Sequence, residues 1–167
     1  MNKAPLVLSL AFFLVYRLTS YLTGEIWLSL LVFTPLVGFL VMNLLLRKSL
    51  RYKSWFLNTV NLLLETKTYH SEIDLSSDLL FEKLLEVIED SEFKLLDIDK
   101  DSLQILCGTS VNFRTWGENI YIQLYGTKDA ATSVQFVSTT LFSGRSWNRN
   151  EQNYESFIAS FEASLTI

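Results

Sequence analysis

The chain's 167 residues carry 14 lysines and arginines against 18 aspartates and glutamates, with one histidine, one cysteine and 49% hydrophobic residues. A formal charge of -4 argues against a nucleic-acid partner, because polyanions are held by basic surfaces that release counterions. A lone Cys107 excludes an intrachain disulfide framework, and beside a lone His70 it excludes a Cys/His metal cluster, so neither a metal nor another cofactor is predicted.

The averages hide a division. Between positions 4 and 46 only Arg17 and Glu25 are charged, and residues 26–46 form an uncharged run long enough to cross a hydrocarbon core of about 30 Å as a helix. Residues 5–22 are similarly apolar and are joined to that run by Thr23, Gly24 and Glu25. The pattern predicts an N-terminal transmembrane helical hairpin over 1–46, with Arg17 reaching toward headgroups and Pro35 and Gly38 tolerated in lipid. Arg47, Lys48, Arg51 and Lys53 follow at once, then Trp55. Basic flanks stay on the cytoplasmic side, which places the chain in a bacterial inner membrane, multi-pass, with both termini cytoplasmic. On this reading 47–67 is a basic juxtamembrane connector. Arg47, Lys48, Arg51, Lys53 and Trp55 contact membrane lipids, and 55–64 is an interfacial helix or a strand leading inward.

Residues 68–167 read as one cytoplasmic α+β domain. Alternation over 68–75 predicts a strand with His70 outward; with no partner in view, His70 reads as a surface residue rather than a catalytic base. Ser76 or Ser77 caps a helix over about 78–90, whose apolar stripe holds Leu79, Leu80, Leu84, Val87 and Ile88. Glu82 and Glu86 lie one turn apart, but nothing supplies further ligands, so they read as surface acidity. Two apolar runs, 93–98 and 103–107, form a hairpin. The carboxylates of Asp97, Asp99 and Asp101 at its turn lack the glycine and glutamate that close a calcium loop. Cys107 lies in an apolar run with no basic neighbour to lower its pKa, and reads as a packing residue. Strands follow at 111–115, 120–124 and 132–141, the first two joined by Trp116 to Asn119. Tyr154, Phe157, Ile158, Phe161 and Leu165 then line a final helix capped by Asn150. The expected fold is a mainly antiparallel sheet with two helices packed on it.

Two stretches belong together: TWGENIYIQL at 115–124 and SGRSWNRNEQNYESF at 143–157. They resemble a loose group of small bacterial α+β domains of no assigned activity. In that group a Trp-Gly-Glu turn precedes an alternating strand, and a Trp-x-x-Asn-x-x-Asn stretch opens the last helix. Trp116, Gly117 and Glu118 match the first motif, and Trp147, Asn150 and Asn153 the second. Asn148 and Arg149 depart from the glycine and lysine that commonly follow the second tryptophan. The resemblance implies one compact domain over about 68–165 and brings no catalytic residues with it.

The residues themselves leave two readings of these loops. In one, Trp116 and Trp147 pack over the sheet edge while Asn150 and Asn153 bind loop backbone. In the other, Arg114, Trp116, Glu118, Arg145, Trp147, Arg149, Asn150 and Asn153 form a cleft that receives an anion against an aromatic wall. The leading functional expectation is a noncatalytic, membrane-anchored module that binds a protein, a lipid headgroup or a small ligand, either alone or as a homo-oligomer. Its competitors are a membrane-associated hydrolase using His70 with Glu118 or Asp74, and a channel or transporter accessory subunit in which Arg17 lines an assembly.

Overall fold

The computed structural model describes residues 46–58, 64–111, 115–126, 131–141 and 145–165, together with positions 16–18, 20–22, 24, 27, 31, 34, 37 and 38. By its contacts the chain divides into two compact units, Met1–Leu46 and Arg47–Ile167.

The second unit runs β1 (Thr66–Ile73), α1 (Ser77–Glu89), β2 (Lys94–Asp99), β3 (Gln104–Gly108), β4 (Glu118–Tyr125), β5 (Thr132–Thr140) and α2 (Arg149–Leu165). The strands form one antiparallel sheet in the order β1-β5-β4-β3-β2. The first strand thus pairs with the last, and α1 carries the chain from one edge of the sheet to the other. Successive side chains in a strand point to opposite faces, and the alternation places Ile105, Cys107, Ile120, Ile122, Leu124, Val134 and Phe136 toward the helices. There they meet Leu80, Leu84, Val87 and Ile88 of α1 and Phe157 and Phe161 of α2. Leu79, placed on the apolar stripe by spacing alone, is exposed instead. The Phe136 ring lies 5.0 Å from that of Phe157 and 5.4 Å from that of Tyr154, and Tyr154 stacks on Tyr69 at 4.1 Å.

The other face of the sheet is not uniformly polar. Pairing puts Leu106, Tyr121 and Val137 side by side across β3, β4 and β5, and all three are buried. The segment that covers them is 47–57, a strap built from a 3-10 turn, Leu50–Tyr52, and a single helical turn, Lys53–Phe56. Phe56 is 1% exposed. The Leu50 amide donates to Asp97 Oδ2 at 2.7 Å and the Lys53 ammonium to Gln123 Oε1 at 3.0 Å.

This corrects the expectation of an N-terminal transmembrane hairpin. No helix among the described residues is long and apolar enough to cross a membrane, and the inner-membrane, multi-pass assignment with cytoplasmic termini rested on that hairpin. Pro35 and much of 1–45 lie outside the described residues. An apolar run establishes only that its side chains avoid water; crossing a bilayer also requires about 20 residues in one continuous helix. The basic cluster that set the orientation has partners inside the second unit. Arg47 and Lys53 hydrogen-bond to the sheet and its loops, while Lys48 and Arg51 are exposed. Trp55 is half-buried, edge-on to Phe56 at 5.2 Å. The helical turn stops at Phe56, and 59–63 lie outside the described residues. Positions 111 and 115 are loop, not strand, and 112–114 are likewise outside.

The aromatic cluster around Phe136 is expected to dominate stability. Phe136→Ala should lower the unfolding free energy by about 3–5 kcal/mol, measured as a shift of the urea midpoint at unchanged slope.

Candidate functional site

Three sets of polar side chains interrupt this framework, and the first surrounds Arg47. Its Nε donates to Asn119 Oδ1 at 3.3 Å and its Nη1 to the Trp116 carbonyl at 3.4 Å, while Asn119 Nδ2 returns a bond to the Arg47 carbonyl at 3.2 Å. The guanidinium occupies space that a side chain at Gly117 would take. With φ at 88°, a Cβ there would stand 3.2 Å from Nη2 and 2.9 Å from the Thr109 carbonyl. Burial holds the Arg47 pKa below its ordinary value, opposed by the charge of Glu118. Glu118 is fully buried; the Thr109 hydroxyl donates to its Oε2, its own amide donates to Thr109 Oγ1 at 2.8 Å, and its Oε1 has no hydrogen-bond partner among the described residues. The Trp-Gly-Glu-Asn turn is therefore a socket for the first residue of the strap.

The second set ties α2 to the end of β5. Ser138 Oγ donates to Asn150 Oδ1 at 2.8 Å and accepts from Asn153 Nδ2 at 3.2 Å, and Asn150 Nδ2 reaches the Glu65 carbonyl at 3.3 Å. The Glu65 carboxylate accepts from the amide and hydroxyl of Ser146 at 2.5 and 3.0 Å. Asn150 and Asn153 are buried and serve this network. Trp147, with φ at 50°, is 61% exposed; Arg145 is exposed and Arg149 half-buried, its Nη1 donating to Gln152 at 3.4 Å. The two motif loops flank opposite sides of the β5 end. Leu141 N donates to the Gly117 carbonyl at 3.2 Å on one side, and Thr140 N to the Glu65 carbonyl at 3.0 Å on the other. Arg114 lies outside the described residues.

The third set was not assembled from the sequence. Strand register aligns Asp99, Gln104, Gln123, Gln135 and His70 in one row across all five strands. These side chains share the face away from the helices. Lys53 of the strap hangs over the middle of the row, and beside it opens a cleft of about 110 Å³ lined by Leu50, Lys53 and Leu57 from the strap and by Gln104, Tyr121, Gln123, Tyr125, Gln135 and Val137 from the sheet. Gln123 Nε2 donates to the carbonyls of Ser102 at 2.7 Å and Leu124 at 3.3 Å, and Tyr125 OH donates to Gln135 Oε1 at 3.2 Å. Desolvation lowers the Lys53 pKa, with the Asp99 charge pulling it back up. Burial raises the Tyr121 phenol, partly offset by a hydrogen bond from Asn119. Gln123 and Gln135 stand on polar strand positions that alternation marks; joining them to Gln104 required the register.

His70 and Glu118, one of the two pairings considered for a hydrolase, are not brought together. His70 pairs with Gln135 and Glu118 with Thr140, positions five residues apart on β5 and so separated by about 16 Å along the strand. Burial pushes the Cys107 thiol up to about 12, far from nucleophilic reach at neutral pH. Among the described residues no three His, Cys, Asp or Glu side chains converge on a metal position. Asp99 Oδ1 instead accepts from the amides of Asp101 and Ser102, both at 3.1 Å, and closes the hairpin turn. Glu82 pairs with Lys100, and Glu86 with Lys83.

No family model and no curated protein matches the chain. Among solved structures, a crystal structure of Ara h 8.0201 aligns at a TM-score of 0.48 and 10% identity, covering 62% of this chain and 99% of that one. An aromatase/cyclase, ZhuI, from a Streptomyces species aligns at a TM-score of 0.32 and 8% identity, covering 62% and 87%. At these scores neither bears on ligand or activity.

The Arg47 socket makes a measurable claim. Arg47→Met should destabilise the protein by about 2–3 kcal/mol, because two hydrogen bonds from a charged donor are lost. Glu118→Gln should then cost less in that background than alone, with a coupling of about 1 kcal/mol in a urea double-mutant cycle.

Proposed function

We propose that the Arg47–Ile167 unit is a noncatalytic binding module and that its site is the cleft between the strap and the glutamine row. The observation that carries this is the in-register alignment of Gln104, Gln123 and Gln135 beneath Lys53. Carboxamides both donate and accept, so a row of them at a cleft floor suits a small polar ligand. Leu50, Leu57 and Val137 give the same cleft an apolar wall, the usual mixture at small-molecule sites. Consistent with binding rather than catalysis, Cys107 is shielded, Glu118 is engaged by Thr109, and His70 stands apart from it. Of the residues in the anion-cleft reading, Glu118, Asn150 and Asn153 fit a structural role better, since they are buried in bonds that hold loops to the sheet.

The test is chemical-shift mapping on the labelled full-length protein with a panel of small acids, amides and alcohols. At least one probe is expected to shift the side-chain amide resonances of Gln104, Gln123 and Gln135 together and saturably, and Gln135→Ala, which removes an amide donor that no bond among the described residues uses, should weaken it by about tenfold, the loss of one good hydrogen bond. Shifts confined to the Trp147 loop, or none on the glutamine row, would overturn the proposal.

A further inference from the structure

Resting on the assignment of this cleft as the binding site, the donors that line it identify the ligand class. The Lys53 ammonium has three donors, and Gln123 takes one. Gln135 has its carbonyl oxygen occupied by the Tyr125 hydroxyl, and its amide hydrogens make no bond among the described residues. The Gln104 carboxamide makes no hydrogen bond among the described residues. Among the described residues the lining holds one cation and no carboxylate. Asp99, the next residue in the row, is turned to its own hairpin amides.

We infer that the cleft takes a short-chain aliphatic monocarboxylate, its oxygens on the Lys53 ammonium and the Gln104 and Gln135 amides, its alkyl stem against Leu50, Leu57 and Val137. A neutral amide would meet the same wall but bring no charge to the ammonium, whose acidic neighbour, Asp99, acts on it without a hydrogen bond and is held by its own turn amides. An amine would be repelled by Lys53. A phosphate dianion asks for several cations or a guanidinium fork, and the lining offers one ammonium. The volume of about 110 Å³ equals about three or four waters at about 30 Å³ each, which restricts the stem to a few carbons. The charge of a bound anion would also offset the desolvation that holds Lys53 below its ordinary pKa.

The experiment titrates the labelled full-length protein with butyrate, butyramide, butylamine and inorganic phosphate at matched ionic strength, following the side-chain amides of Gln104, Gln123 and Gln135. Butyrate should bind about tenfold or more tightly than butyramide, a difference of one charge-assisted contact, with no saturable response to butylamine or phosphate. In Lys53→Met, butyrate should lose that advantage while butyramide binding persists, which also reports that the variant is folded. Butyramide or phosphate matching butyrate, or Lys53→Met leaving butyrate unaffected, would overturn the carboxylate assignment and leave the cleft as a site for something else. If none of the four probes moves the three glutamines while other small polar probes do, the carboxylate assignment alone falls; if no probe of any kind does, the cleft itself is not the site.

Discussion

Leu106, Tyr121 and Val137 lie on the face of the sheet turned away from α1 and α2, and the strap over them is the constraint on which the rest of the structure depends. An antiparallel sheet commonly has one face on the core and one in water. Here the second face carries an apolar row flanked on both sides by polar ones, with Asn119 and Thr139 along one flank and the glutamines along the other. Withdrawing each apolar side chain from water contributes about 1.5–3 kcal/mol, and the strap adds Phe56, itself buried. Ordering the strap opposes this, at about 1–2 kcal/mol per residue of backbone entropy. Directional bonds at Arg47, Leu50 and Lys53 therefore matter in fixing where it lies.

Those bonds also link fold to site. Arg47 fills the hollow left by Gly117, Leu50 meets Asp97, and Lys53 reaches Gln123. Lys53 is both the strap's fastening and, among the described residues, the one cation lining the cleft, so the element that completes the second face also supplies the charge of the proposed site. The helix side has a comparable arrangement at the opposite flank of β5. There Glu65, Ser138, Ser146, Asn150 and Asn153 join the start of β1 to the final helix, and a ligand is not needed to account for them.

Much of the sheet is legible in local pattern. Ile120, Ile122 and Leu124 alternate with Tyr121, Gln123 and Tyr125, and the structure keeps those faces apart as alternation demands. Asn150 and Asn153, three apart, fall on one helix face. What local pattern lacks is the partner. Ser138 is 12 residues from Asn150, Glu65 is 85 away, and Arg47 is 72 residues from Asn119. Gln104 joins Gln123 and Gln135 only through strand register across β3, β4 and β5, and Asp99 joins the row only after the irregularity between Leu95 and Asp97 in β2. The basic residues after the apolar run misled for the same reason. A lysine or arginine in that position has the same sequence context whether it faces headgroups or a carboxamide, and hydropathy carries no distance.

The claim that 47–57 is an integral layer of the domain is tested most directly by amide hydrogen exchange at Leu50, whose N–H is held by the Asp97 carboxylate. The account predicts slow exchange, with an opening free energy approaching that of the β4 and β5 amides and lost in Asp97→Ala while the sheet stays protected. Exchange at unfolded-chain rates in the native protein, beside a fully protected sheet, would contradict it.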